Sequence, residues 1–197
     1  MGKKREMRKS PAKNDVPDTP ADHSGLASPS DWILRWHHEF GSGTSVLDLA
    51  CGSGRHGRLF LDNGATVTFV DIDVSGLSDM AENRQAEILQ ADLENKPWPL
   101  EDRQFDAIVI TNYLHRPLFP QIIAAVAPGG WLFYETFAVG NERYGKPTNP
   151  DYLLKHDELK HTVEHELDVI GYAHSLRILP KRAVMQHIAA QRPVSNA

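Results

Sequence analysis

Between residues 45 and 137, short apolar runs rich in β-branched residues recur along the chain, each separated from the next by a helical or glycine-marked stretch. Residues 45–50, 66–71, 86–91, 105–110 and 131–137 read as strands on this pattern. The stretches 55–63, 74–83 and 118–127 read as helices, with Gly64 closing the first and Pro128-Gly129-Gly130 turning the chain after the third. Such alternation builds a mostly parallel sheet with helices on both faces. Two more strands, 167–173 and 183–190, come after a helix over about 150–165. The link between them is too short for a helical crossover, so they must pair antiparallel. The expected fold class is therefore α/β: a three-layer sandwich around a seven-stranded, mostly parallel sheet whose last strand is antiparallel.

The chain divides at about residue 28. Residues 1–27 are rich in Lys, Pro, Asp and Ser without periodicity and read as a disordered basic tail; residues 28–197 read as one domain. Ser28 and Pro29 suit the start of a leading helix in which Ile33, Trp36 and Phe40 repeat at helical spacing, with Gly41 as its stop. The tail carries a net charge of +2, which leaves −7 on the rest of a chain whose total is −5. An acidic body is a poor footprint for nucleic acid, whose binding depends on neutralising phosphates. The tail leaves weak, salt-sensitive attachment to RNA or an anionic surface open. No apolar run is long enough to span a bilayer, so no membrane association is expected. One cysteine, Cys51, excludes an internal disulfide and points to a reducing, cytoplasmic setting. The oligomeric state is not legible.

The first strand-to-helix turn carries the chemistry. It runs Asp48-Leu49-Ala50-Cys51-Gly52-Ser53-Gly54-Arg55-His56-Gly57. Gly52 and Gly54 let backbone approach a ligand where a Cβ would collide. In open α/β sheets, ligands lie beyond the carboxyl ends of the strands. The spacing Gly52-x-Gly54-x-x-Gly57 also satisfies a dinucleotide fingerprint. Asp48 turns the reading away from a diphosphate, because an anion there repels a pyrophosphate but attracts an ammonium or sulfonium. Asp71, 19 residues past Gly52 at the end of the second strand, suits ribose hydroxyls in either case.

With these residues in view, the sequence resembles the class I S-adenosylmethionine-dependent methyltransferases. Val46–Gly54 looks like the family's first motif and Phe69-Val70-Asp71-Ile72-Asp73 like its second. Gln90-Ala91-Asp92-Leu93 resembles the third, and Phe105–Val109 with Leu114-His115 resembles the fourth strand and the loop after it. Ala127-Pro128-Gly129-Gly130-Trp131-Leu132 is similar to the turn before the fifth strand. The resemblance covers about residues 29–190. It implies S-adenosylmethionine as cofactor, with Asp48 near its amino group and Ala50, Cys51, Gly52, Ser53 and Gly54 along its methionine part. It further implies Asp71 and Ile72 at the ribose, Asp92 and Leu93 at the adenine, and Asn112 beside the methyl-donor end. Cys51 then packs under the cofactor rather than acting as a nucleophile.

Methyl transfer from a sulfonium is an in-line displacement in which positioning supplies much of the acceleration. The segment Thr111–Pro117 lies just past the fourth strand. His115 is a candidate to take a proton from the acceptor, Tyr113 to close the chamber, and Arg116 to pair with an anionic acceptor. Past the fifth strand, Glu135, Asn141 and Tyr144 are candidate substrate contacts on a strand end and a glycine-punctuated loop. Glu135 serves equally as a partner for Arg143. No separate recognition domain is apparent, so a small-molecule acceptor is expected. A non-catalytic cofactor-binding module, or an RNA or protein methyltransferase using the tail, are the alternatives.

His161-Thr162-Val163-Glu164-His165 spells H-x-x-E-H, an inverted zinc-peptidase pattern. Only 32 residues remain after it, and Leu153, Leu154, Leu159 and Val163 give the same stretch an apolar helical face. No metal is expected there.

Overall fold

The computed structural model describes residues 28–194, so the reading of residues 1–27 as a disordered tail falls outside the described residues. Seven strands form one sheet: β1 (Ser45–Leu49), β2 (Thr66–Asp71), β3 (Ala86–Gln90), β4 (Phe105–Thr111), β5 (Val126–Phe137), β6 (Asp168–Arg177) and β7 (Ala183–Gln191). Their order is β3-β2-β1-β4-β5-β7-β6. The first five pair in parallel, and β7 runs antiparallel to both β5 and β6. The last strand is the antiparallel one, as the short link before it demands.

Strand alternation sorts the core into two layers. Leu47, Leu49, Ile108, Ile110, Leu132, Tyr134 and Ile188 face one side, where α3 (Phe119–Ala124) and α4 (Glu158–Val163) cover them. Val46, Val67, Phe69, Ala107, Val109, Phe133 and Ala189 face the other, under α1 (Asp31–Leu34) and α2 (Gly57–Asp62). Asp48, Thr111, Glu135 and His187 share the parity of this second layer at the carboxyl end of the parallel strands.

The helices are shorter than the periodicity predicts. The leading helix is a single turn capped by Ser30, whose hydroxyl accepts from the Trp32 amide at 3.1 Å; a 3-10 turn over His37–Glu39 replaces its second half. Ser28 and Pro29 therefore precede the helix. The stretch 74–83 is a 3-10 turn over Ser75–Met80, held by Arg58, whose guanidinium takes both carboxylate oxygens of Asp79 at 2.6 and 2.8 Å. Pro128-Gly129-Gly130 lies inside β5, where a register shift in the β4–β5 pairing absorbs it. The stretch 150–165 is broken because Leu154 is drawn into an isolated parallel bridge with Ala138, which leaves only α4 helical beyond a 3-10 turn over Pro150–Tyr152.

No helix among the described residues is long and apolar enough to cross a membrane.

Candidate functional site

The turn after β1 is tied to the carboxyl ends of the neighbouring strands. Asp48 is 2 % exposed, and its Oδ2 accepts from the Gly57 amide at 2.7 Å. Burial pushes its carboxyl up to about 7, against the pull of that hydrogen bond and of Arg55. Asp71, at the end of β2, accepts from the Gly52 amide at 2.7 Å and from the Asp73 amide at 3.0 Å. Gly52 has φ +56, and a Cβ there would meet nothing within 4 Å, so its open side faces space that a ligand can occupy. Gly57 is the opposite case: a Cβ would lie 2.2 Å from the Phe69 ring and 2.9 Å from Asp48 Oδ2.

Beside this turn lies a cleft of about 280 Å³ whose lining includes Ala50, Asp71, Ile72, Asp92, Leu93, Glu94, Asn95 and Tyr113. Its charged lining among the described residues is three carboxylates. Two non-glycine residues at its end of the sheet, Ala50 (φ 52) and Asn112 (φ 55), adopt left-handed backbone, a strain that folded proteins concentrate at binding sites. Asp92 turns its carboxylate on the Glu94 and Asn95 amides, both at 3.0 Å, and so shapes the cleft's far wall. Cys51 is buried, and burial pushes its thiol up, the reverse of what a nucleophile needs. Ser53 and Gly54 belong to the same turn; the Gly54 amide bonds the Cys51 carbonyl at 2.9 Å.

A second cavity, about 210 Å³, adjoins the cleft and shares Tyr113 and Glu94 with it; Asn112, Thr136, Phe137 and Tyr152 complete most of its wall. The Tyr113 hydroxyl is buried without a hydrogen-bond partner among the described residues. Burial, with Glu94, Asp92 and Asp71 nearby, pushes this phenol up, so it stays protonated and suits a donor better than a base.

The remaining candidates are placed elsewhere. His115 is the cap of the 3-10 turn Arg116–Leu118, makes no side-chain cap, and borders neither cavity. Arg116 is committed inside the protein rather than offered to an anion. It takes both oxygens of Glu158 at 2.6 and 2.9 Å and the carbonyls of Asp151 and Leu153 at 2.6 and 2.9 Å. Asn141 is 1 % exposed and braces its own loop, donating to the Pro147 carbonyl at 3.1 Å and accepting from the Val184 amide at 3.3 Å. Tyr144 closes the 3-10 turn Asn141–Arg143 and borders neither cavity.

Glu135 meets neither Arg143 nor the second cavity. It is 1 % exposed and accepts at Oε2 from Ser30 Oγ at 2.5 Å and from His187 Nδ1 at 3.0 Å. Burial works to push its carboxyl up, but those two hydrogen bonds, helped by nearby His56, outweigh it and hold the group below the ordinary range. His56 accepts the Ser30 amide at Nε2, 3.1 Å, so its proton sits on Nδ1, which faces Thr111 Oγ1 at 3.3 Å. Arg55 adds a bond to the Ser28 carbonyl at 3.1 Å. This network fastens the chain's entry segment over the carboxyl end of the sheet. Only Glu135 of its members is legible as a site residue from sequence; shared parity along β4, β5 and β7 is the signal that gathers Thr111, Glu135 and His187.

His161, Glu164 and His165 are all exposed, and α4 ends at Val163 before the last two, so the H-x-x-E-H stretch does not lie on one continuous helix.

Residues 46–130 match the family described as a methyltransferase domain. Over 104 residues, half of this chain, the sequence is 31% identical to a malonyl-[acyl-carrier protein] O-methyltransferase of Serratia marcescens; the chain covers 40% of that relative's length. Among solved structures, the fold is similar to a 1,6-didemethyltoxoflavin-N1-methyltransferase of Burkholderia thailandensis crystallised with S-adenosylhomocysteine. The TM-score is 0.62 at 16% identity, over 82% of this chain and 76% of that one. It is also similar to the [4+2]-cyclase SpnF, with a TM-score of 0.61 at 12% identity, over 84% and 80%. At these identities the two structures speak for the fold alone.

Proposed function

We propose that this chain, whose residues 46–130 match the methyltransferase-domain family, binds S-adenosylmethionine in the 280 Å³ cleft and passes the methyl group to a small-molecule acceptor. The observation that carries this reading is the charge of the cleft. Asp48 lies buried behind the turn while Asp71, Asp92 and Glu94 line the opening, a set that attracts an ammonium and a sulfonium and repels a diphosphate. The open side of Gly52 leaves room for the backbone of the turn to meet the ligand.

When bound, the cofactor supplies an electrophilic methyl on sulfur. In this reading Asp48 answers the ammonium, Asp71 takes the ribose hydroxyls, and Leu93 packs against the adenine. Asn112 and Tyr113 stand at the junction of cleft and second cavity, where the Tyr113 hydroxyl has a hydrogen bond to give. The second cavity, about 210 Å³, has room for a small acceptor group beside Asn112 and Tyr113. The malonyl-[acyl-carrier protein] and toxoflavin-precursor acceptors of the similar proteins belong to those proteins. A binding module without turnover is the second reading, favoured by His115 standing outside both cavities.

Calorimetry with S-adenosylmethionine and S-adenosylhomocysteine tests the cleft, and a labelled-methyl screen over small thiols, amines, carboxylates and RNA tests transfer. Asp71→Ala is expected to weaken cofactor binding by about 1–3 kcal/mol. Wild-type affinity in that variant would remove Asp71 from the site; binding without transfer to any acceptor class would favour the second reading.

A further inference from the structure

Away from the cleft, His156 and Asp157 in the turn before α4 meet His174 on β6, an edge strand of the sheet. The Asp157 carboxylate stands between the two imidazoles, with His156 Nδ1 2.9 Å from Oδ2 and His174 Nδ1 3.5 Å from Oδ1. The rings are 4.9 Å apart between centroids, and one ligand atom from each of the three residues lies within 4.8 Å of the others. We propose that His156, Asp157 and His174 form a binding site for a zinc-class divalent ion.

Two features separate this trio from a chance meeting of polar side chains. Asp157 occupies the N-cap of α4, where an aspartate ordinarily turns its carboxylate on the helix's first amides, yet it makes no such bond and adopts left-handed backbone (φ 53). Its side chain is turned toward β6 instead, where Tyr172, two residues from His174 on the same strand face, donates to Oδ1 at 2.7 Å. A hydroxyl on a ligating carboxylate is the outer-shell contact that orients metal ligands. The turn is also pinned at both ends. Gln186, wholly buried on β7, donates to the Lys155 carbonyl at 2.6 Å and accepts from the Leu159 amide at 3.0 Å. Glu158 takes the Lys155 amide at 2.7 Å while gripping Arg116.

Two imidazole nitrogens and one carboxylate oxygen form a donor set suited to Zn²⁺, with Co²⁺ and Ni²⁺ as analogues, and water completes a tetrahedron. Binding replaces the two imidazole–carboxylate contacts with metal bonds, each ring keeping its single proton on the nitrogen that does not ligate. The ion would tie the edge strand to the turn before α4, so it would stabilise the fold without entering the cleft.

The test is titration of the chelator-treated full chain with ZnCl₂ by calorimetry, with CoCl₂ absorption reporting coordination number. One equivalent is expected to bind, with a tetrahedral Co²⁺ spectrum and a rise in the thermal midpoint. His156→Ala, at an exposed position that the fold does not need, and His174→Ala should each lower affinity at least tenfold. His161→Ala, on α4 outside the trio, should leave it unchanged. No stoichiometric binding, or equal loss in the His161 variant, would overturn the assignment. So would unchanged affinity in a folded His156 variant.

Discussion

Glu135 and His187 stand directly opposite one another in the β5–β7 pairing, and the imidazole Nδ1 donates to Glu135 Oε2 at 3.0 Å. Ser30 shares that oxygen, while Oε1 is buried without a partner among the described residues. A buried carboxylate held in this way depends on both donors. Glu135→Ala is expected to destabilise the protein by about 1–3 kcal/mol, read from urea midpoints at pH 7.5. Because the folded group titrates below its unfolded range, its contribution is present above about pH 4.5 and is lost as pH falls through the folded value. The gap between wild type and variant should therefore close in acid.

His56 acts over a higher window. Burial, reinforced by Arg55, lowers its imidazole from 6.5 to about 4, so the folded protein refuses a proton that the unfolded chain accepts. The resulting stability is present above pH 6.5 and is lost as pH falls toward 4, on the order of 3 kcal/mol in full. His56→Gln keeps an acceptor for the Ser30 amide and removes the titration. In this variant the slope of stability against pH between pH 6.5 and 4.5 should flatten; an unchanged slope would mean that His56 is not its cause.

At Asp48 the sign reverses. Its folded value of about 7 lies above the unfolded one, so the favourable neutral form is present below about pH 4 and its advantage is lost as pH rises to 7. In the ligand-free protein, Asp48→Asn should equal or exceed wild-type stability at pH 8. A cationic ligand needs the carboxylate, so S-adenosylmethionine should bind wild type more tightly at pH 8 than at pH 6, with proton release visible as a buffer-dependent heat. The asparagine variant should lose that pH dependence along with about tenfold or more in affinity.

Gly52 and Gly57 separate binding from folding. Gly52→Ala meets no neighbour and pays only for left-handed backbone, roughly 1 kcal/mol, but puts a methyl where the ligand approaches. Gly57→Ala forces a Cβ into the Phe69 ring and should cost about 1–3 kcal/mol or more. Thermal midpoints and cofactor calorimetry on the two proteins should thus fail in opposite order.

Much of the sheet is legible because buried parallel strands are continuous apolar runs and each is closed by a turn. Helix lengths are less so. Leu154 satisfies the periodicity of a helix, yet its backbone is worth more as a bridge to Ala138, and periodicity is silent on that competition. The turn after β1 is readable because local chemistry fixes it: Asp48 accepts from the Gly57 amide and Asp71 from the Gly52 amide within one βαβ unit. Arg116 is misleading from sequence, since its partners Glu158, Asp151 and Leu153 lie 35–42 residues away. The Ser30–Glu135–His187 network spans still longer separations, and no pattern along the chain announces it.

The insertion of β7 between β5 and β6 dictates a schedule for a chain made from its amino end. When β6 leaves the ribosome, the strand that will fasten it to the sheet has yet to be made, and the outer edge of β5 stays unpaired through the same interval. Both gaps close together when residues 183–191 arrive, and Trp32, on α1, can only then give its indole N–H to the Ile188 carbonyl. The nascent domain thus carries an open β5 edge and an unpaired β6 until its final strand, which is where a holding chaperone would find it.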